Sequence, residues 1–222
     1  MSSDEALVES AIQKQYDDLA RVYDLRWRRY LSDTLSFLKA WADIPPAATV
    51  LDVACGTGEL VRLLIQDHPS QVIAGIDISE RMVVHASQKL EGYANVSFKN
   101  AAVSDLPFSS ESFDVVVSAN AFHYFSDPCE ALTEIFRVLK PGGKVIILDW
   151  CKDFLLCRIC DLILQWLDPA HQQCYTEAEL SHYLDITGFQ VERAQRVRFG
   201  ILWGLMAVSS VGKSANHNSF DS

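Results

Sequence analysis

Apolar residues in this chain fall into short unbroken runs and helical stripes that follow one another along its length. Val50, Leu51 and Val53 form a run suited to a buried parallel strand, and from Leu60 the positions Leu60, Val61, Leu63 and Leu64 take helical spacing. Val72 to Ile76 reads as a second strand and Phe113 to Ser118 as a fourth. Pro128 to Leu139 reads as an amphipathic helix stopped by Pro141-Gly142-Gly143, and Lys144 to Asp149 as a fifth strand. Thr176 with Glu179 makes a capping box for a helix that runs to about Thr187 and ends at Gly188. Phe189 to Val197 then alternates like a strand, and Ile201 to Ser209 supplies a last one. Strands alternating with helices predict an α/β fold with a doubly wound parallel sheet.

The join between the first strand and its helix carries the chemistry. Gly56 and Gly58 let the backbone turn sharply and approach a ligand where a β-carbon would collide, and the turn aims backbone N–H groups and a helix N-terminus above the strand. Asp77 falls at the carboxyl end of the second strand, where a carboxylate accepts hydrogen bonds from both ribose hydroxyls. Taken singly, Gly-x-Gly is only a tight turn and Asp77 only a cap for the helix from Glu80. In this order and at this spacing they point to a nucleoside site. A dinucleotide fingerprint requires a third glycine, and its position holds Val61, which disfavours a nicotinamide oxidoreductase.

Asp52, Gly56, Gly58 and Asp77 match in place the D-x-x-x-G-x-G motif and ribose acid of class I S-adenosylmethionine-dependent methyltransferases, which the chain resembles. DLPFSSESFDVVVSA from Asp105, NAFHYFSDP and EALTEIFRVLKPGGKVIILDW are similar to the small-molecule group that includes the ubiquinone and menaquinone ring methylases. The resemblance implies a Rossmann-like, seven-stranded, mostly parallel sheet with an antiparallel edge hairpin, and S-adenosyl-L-methionine as cofactor. It implies cofactor contacts from Tyr23, Asp52, Ala54, Gly56, Gly58, Asp77, Ile78, Met82, Ala102, Val103 and Asn120. His123 and Tyr124, in the loop after the fourth strand, are the catalytic candidates. His123 leads as a base, against the plainer reading of a histidine that packs beside the cofactor. Tyr16-Asp17 and Tyr23-Asp24 look like the opening helix and lid of the ring methylases, with both tyrosines on one helix face. One departure is Ala101-Ala102, where the family carries glycine-aspartate with the acid on the adenine amino group. The Val103 N–H remains to serve the ring, and weaker cofactor binding is expected.

The 222 residues contain no linker long enough to divide them, so one domain is expected. It comprises a helical lid over 1–45, a cofactor core over 46–150, a substrate cover with edge strands over 151–212 and a frayed tail over 213–222. A net charge of −10 repels a phosphate backbone, which argues against nucleic acid as substrate. Arg21, Arg26, Arg28 and Arg29 read as the solvated face of the first helix, the alternative being a lid that meets an anionic substrate. The six cysteines read as reduced thiols. Cys157 and Cys160, with His171 and Cys174 as loose companions, fall short of a zinc set, so no metal is expected and arsenic or thiol chemistry is disfavoured. No signal peptide is evident and Phe154 to Leu167 is too short and too charged to span a bilayer, giving a cytoplasmic protein as the default. The cover is rich in Trp, Phe, Leu and Cys, suiting an apolar or aromatic small-molecule acceptor. A noncatalytic nucleoside-binding relative is the alternative function, and oligomeric state is left open.

Overall fold

The computed structural model describes residues 3–20, 22–168, 170–200 and 203–212. Two helices, α1 (Ser3–Leu19) and α2 (Tyr23–Ala42), precede the sheet. Then follow β1 (Val50–Val53), α3 (Glu59–Asp67), β2 (Ile73–Asp77), α4 (Glu80–Lys89), β3 (Val96–Asn100) and β4 (Phe113–Ala119). After a short turn over Phe122–Tyr124 come α5 (Pro128–Val138), β5 (Leu139–Trp150), α6 (Leu155–Leu167), α7 (Glu177–Ile186), β6 (Phe189–Phe199) and β7 (Trp203–Gly212). The sheet has seven strands in the order β3-β2-β1-β4-β5-β7-β6. Its first five strands are parallel, and β7 inserts antiparallel between β5 and β6. The strand order reverses between β1 and β4, and in open α/β sheets a ligand crevice forms at that switch point, outside the strands' carboxyl ends.

Period-two alternation assigns side chains to the two faces. Leu51, Val53, Ile76, Val116 and Ile147 join the core beneath α5 and α7. Val50, Ile73, Val115, Val117, Ile146 and Leu148 join the one beneath α2 and α3. Both faces of the central strands are thus covered, as their unbroken apolar runs require.

One local expectation holds and others shift. Thr176 and Glu179 form the complete capping box of α7. The Pro141-Gly142-Gly143 stop lies inside β5, which already pairs at Leu139↔Phe113. The register jumps before Lys144↔Val115, and Gly142 at φ +75° makes the bulge possible. The last strand starts at Trp203, and Ile201 and the tail from Lys213 lie outside the described residues. Among the described residues no helix is long and apolar enough to cross a membrane.

Candidate active site

The floor of the crevice is backbone and carboxylate. Three residues after β1 take positive φ: Ala54 at +57°, Gly56 at +53° and Gly58 at +75°. The two glycines do different work. A Cβ on Gly56 would meet only the Tyr23 ring, at 4.0 Å, so this residue faces open space. A Cβ on Gly58 would sit 3.1 Å from Ala86 Cβ and 3.2 Å from the Phe98 ring, so it lets α3 start close against α4 and β3. Ala54 and Asn120, the latter also at φ +57°, hold an unfavourable conformation at the ends of β1 and β4, the two strands flanking the switch point. Such strain concentrates at ligand clamps.

Asp77 ties the two floor loops together. Its Oδ2 accepts from the Gly56 N–H at 2.8 Å and its Oδ1 from the Ser79 N–H at 2.9 Å. It does not cap α4: Ser79 does, accepting from the Met82 N–H at 3.1 Å. Each Asp77 oxygen keeps a second lone pair, and the residue lines the main cleft. Burial pushes its carboxyl up to about 6, against the pull of the two N–H donors. Asp52 is more isolated. Its Oδ2 is buried without a hydrogen-bond partner, and burial, reinforced by the charge of Asp77, pushes its carboxyl up to about 8. It lines a smaller adjoining cavity beside Tyr23, Cys55, Gly56 and Thr57.

The main cleft encloses about 850 Å³, part of it open to solvent. Ala54, Gly56, Asp77 and Ile78 form its floor, Ala102, Val103 and Ser104 one end, and Asn120, Tyr124 and Phe125 the far wall. Ile12, Tyr16 and Tyr23 close it from above. Most cofactor-binding candidates therefore converge on one space. Gly58 and Met82 do not line it: Gly58 packs behind the loop, and Met82 is fully buried under α4. The side chain of Asn120 is already engaged, its Oδ1 accepting from Tyr30 at 2.6 Å and its Nδ2 donating to Thr34 at 3.3 Å, so it fastens α2 to the end of β4.

The cover is attached by long-range polar contacts. Ser79 donates to Asp17 at 2.6 Å, Asp24 pairs with Lys89 at 2.7 Å and accepts from Thr57, and Gln15 donates to Asp168 at 3.2 Å. Tyr16 and Tyr23 do not share one helix face, because the helix breaks after Leu19 and Tyr23 opens α2. Their rings nevertheless meet at 6.0 Å, and Tyr16 packs edge-on against Tyr124 at 5.5 Å. Arg26, Arg28 and Arg29 are exposed on α2, the second helix, and Arg21 lies outside the described residues.

The two catalytic candidates separate. Tyr124 lines the cleft, and burial pushes its phenol up to about 12, so it stays protonated at neutral pH. His123 is buried behind it. Its N–H donates to Asp149 Oδ2 at 2.9 Å, its Nδ1 lies 2.6 Å from Asp149 Oδ1, and its ring stacks on Trp150 at 5.1 Å. His123 does not line the cleft, so it meets a bound ligand only through Tyr124, whose ring is 4.2 Å away. Sequence reasoning missed the anchors Thr57, Tyr30 and Asp149. None follows a motif, since each acts on a partner remote in the chain.

His171 and Cys174 come together with Asp161, their ligating atoms all within 4.8 Å. Asp161 accepts from the Cys174 N–H at 2.6 Å, meets His171 Nε2 at 2.8 Å and pairs with Lys152 at 3.3 Å. Its charge is thereby compensated, and it fastens α6 to the loop that follows.

Residues 44–197 match the family described as a methyltransferase domain. The chain is 32% identical over 149 residues to the ubiquinone/menaquinone biosynthesis C-methyltransferase of Desulfotalea psychrophila, covering 62% of this chain and 57% of that protein. It is 37% identical over 146 residues to the demethylmenaquinone methyltransferase of Thermus thermophilus, covering 64% and 63%. The matched segment thus spans less than two thirds of either relative. In fold it is similar to a methyltransferase of Haloferax volcanii solved in complex with the Trm112 activator. That likeness has a TM-score of 0.82 and 22% identity, covering 92% of this chain and 99% of that one.

Proposed function

We propose, on the premise that this chain belongs to the methyltransferase domain family and takes S-adenosylmethionine as its cofactor, that it methylates a small aromatic acceptor of the quinol type. The observation that carries the reading is the main cleft, lined both by a carboxylate with bare backbone and by the Tyr16–Tyr124 pair. The relatives named for ubiquinone, menaquinone and demethylmenaquinone support the acceptor class.

The residues present fit the cofactor. Asp77 offers its two free lone pairs to the ribose hydroxyls. The unpartnered Asp52 oxygen lines the smaller cavity, where the ammonium of the methionine end would draw its carboxyl back to the ionised form and pair with it. Ile78 and Val103 flank the adenine, with the Val103 N–H as donor to a ring nitrogen. Ala54 and Gly56 admit the nucleoside against main chain, and Tyr23 closes over it. When bound, the cofactor supplies an electrophilic methyl on a sulfonium centre.

Chemistry then depends on holding the acceptor in line and excluding water. Phe125 offers an apolar wall for the ring. Tyr16 and Tyr124, both kept neutral by burial, act as donors that orient an acceptor hydroxyl. Asp77, Asp52 and the Ala54–Gly56 backbone hold the cofactor that would supply the methyl group to the acceptor carbon, and Phe125, Tyr16 and Tyr124 hold the acceptor ring in line with it. His123 is a positioning residue in this scheme, held by Asp149, stacked on Trp150 and tilted against the Tyr124 ring. The acidic surplus argues against a nucleic-acid acceptor, and six unpaired cysteines suit a reducing cytoplasm.

The test is methyl transfer from S-adenosylmethionine to reduced naphthoquinones and benzoquinones, read as S-adenosylhomocysteine released and product mass. Turnover of a quinol, lowered at least tenfold in Tyr124→Phe with cofactor affinity unchanged, is expected. No product above background with any quinol or phenol would remove the reading.

A further inference from the structure

Helix α6 is amphipathic in the wrong direction for a soluble surface. Its inward stripe carries Cys157 and the buried Asp161, whereas Leu155, Leu162, Ile163, Trp166 and Leu167 face out. Trp166 is 91% exposed, Leu167 75% and Leu155 73%. Globular helices bury the apolar stripe and solvate the polar one. An exposed apolar face of this kind marks a site of association.

The charges around the face select its occupant. The molecule carries a net charge of −10, yet the exposed charge on α6 itself is Arg158 alone, because Asp161 is buried and paired with Lys152. At the start of the helix Arg198 lies over the Phe154 ring at 5.2 Å, and Asp153 is paired with Arg196 at 3.7 Å. At its end Asp168 is engaged by Gln15. Helix α2 is tied to the end of β5 by the Tyr30–Trp150 hydrogen bond, and its first turns expose Leu25 with Arg26, Arg28 and Arg29, the last paired with Asp33 at 4.0 Å. Leucine, isoleucine and an exposed tryptophan, with Arg158 as the one exposed charge of the helix and Arg198 at its start, on an otherwise acidic protein, complement an anionic lipid surface. A second copy of the same chain would set these arginines against one another.

We infer that α6 is an in-plane docking helix by which this protein sits on an anionic lipid bilayer, drawing its acceptor from the membrane into the adjoining cleft. The acceptor clause rests on the quinol reading above; the docking clause does not. The helix follows directly from β5, and the loop after it donates the Gln172 N–H to the His123 carbonyl at 3.2 Å, so the docked face is joined to the cleft wall.

Flotation of the full chain with vesicles of phosphatidylcholine containing phosphatidylglycerol, against pure phosphatidylcholine, tests the docking without any acceptor. Binding to the anionic vesicles, weakened by salt and cut at least tenfold in the L162E/W166E double variant, is expected. Both side chains are exposed, so thermal melting and S-adenosylhomocysteine affinity stay unchanged. Methylation of a short-chain, water-soluble quinol also stays unchanged, while that of a vesicle-dissolved long-chain quinol falls. Absence of vesicle binding by the unaltered protein at low salt would overturn the inference. So would a concentration-dependent dimer that the double variant dissolves, which would assign the face to a second copy. If vesicles bind but no quinol is methylated in either form, docking stands and the acceptor reading fails.

Discussion

The floor of the cleft and its cover are built by opposite means. The floor is made by main chain: the Ala54–Gly58 turn, and Asp77 holding the backbone N–H groups of Ser79, two residues on, and of Gly56, 21 residues back. The cover is made by residues far apart: Asp17 on Ser79, Tyr30 on Asn120, Gln15 on Asp168. Backbone geometry preorganises the first, whereas the second depends on part-buried side-chain hydrogen bonds that each contribute on the order of 1 kcal/mol, more where a carboxylate accepts. Cofactor affinity should therefore reside in the floor, and acceptor choice and access in the cover.

The largest effect that breaks this division is expected at Asp77. Asp77→Ala removes two charge-assisted ribose contacts and strands two loop N–H groups, which should lower S-adenosylhomocysteine affinity at least about a hundredfold by calorimetry. Because the carboxyl of the free protein lies at about 6, affinity in the unaltered chain should also weaken as pH falls through that value. An Asp77→Ala protein that binds normally would move the cofactor site elsewhere.

Asp52 gives the next effect, on stability. Its folded-state value of about 8 lies above the ordinary 3.8, so the folded protein retains a proton that the unfolded chain releases. Stability is therefore lost as pH rises from about 4 through about 8. Asp52→Asn should flatten that decline and raise the melting temperature at pH 9, with a gain on the order of 1–3 kcal/mol, while weakening cofactor binding. An unchanged pH profile would show that the carboxylate finds a partner in solution. A similar magnitude with the opposite sign for binding is expected at the adenine end, where Ala102→Asp should tighten the cofactor by about tenfold to a hundredfold.

The smallest effect belongs to the cover. Asp24→Asn loses the pairing with Lys89 and should cost about 1 kcal/mol or less, changing affinity by under about fivefold. Tryptic cleavage between α1 and α2 should nevertheless become faster, and cofactor should slow it. Equal cleavage with and without cofactor would show that the cover is indifferent to the ligand.

This division also explains what could be read beforehand. The floor and the order of strands and helices are legible because glycines needing positive φ, an acid at a strand end and a capping box at Thr176 are local signals, whereas the seven-stranded sheet with its edge hairpin is what the family resemblance implies. The resemblance assigns Gly58 and Met82 to the ligand, yet Gly58 packs against α4 and β3 and Met82 lies in the core, a distinction only three-dimensional neighbours reveal. His123 lay in the right loop, but its burial behind Tyr124 depends on Asp149 and Trp150, which arrive from β5. The break that separates Tyr16 from Tyr23 has no glycine or proline to announce it, and the outward turn of the apolar face of α6 becomes visible only once Asp161 is seen to face in.

The most direct test is calorimetric titration of the unaltered chain and Asp77→Ala with S-adenosylhomocysteine and NAD. The account expects saturable binding of the sulfur nucleoside by the unaltered chain, loss of that binding in the variant, and no heat from NAD with either. Binding of NAD, or equal affinity of the two proteins for S-adenosylhomocysteine, would contradict it.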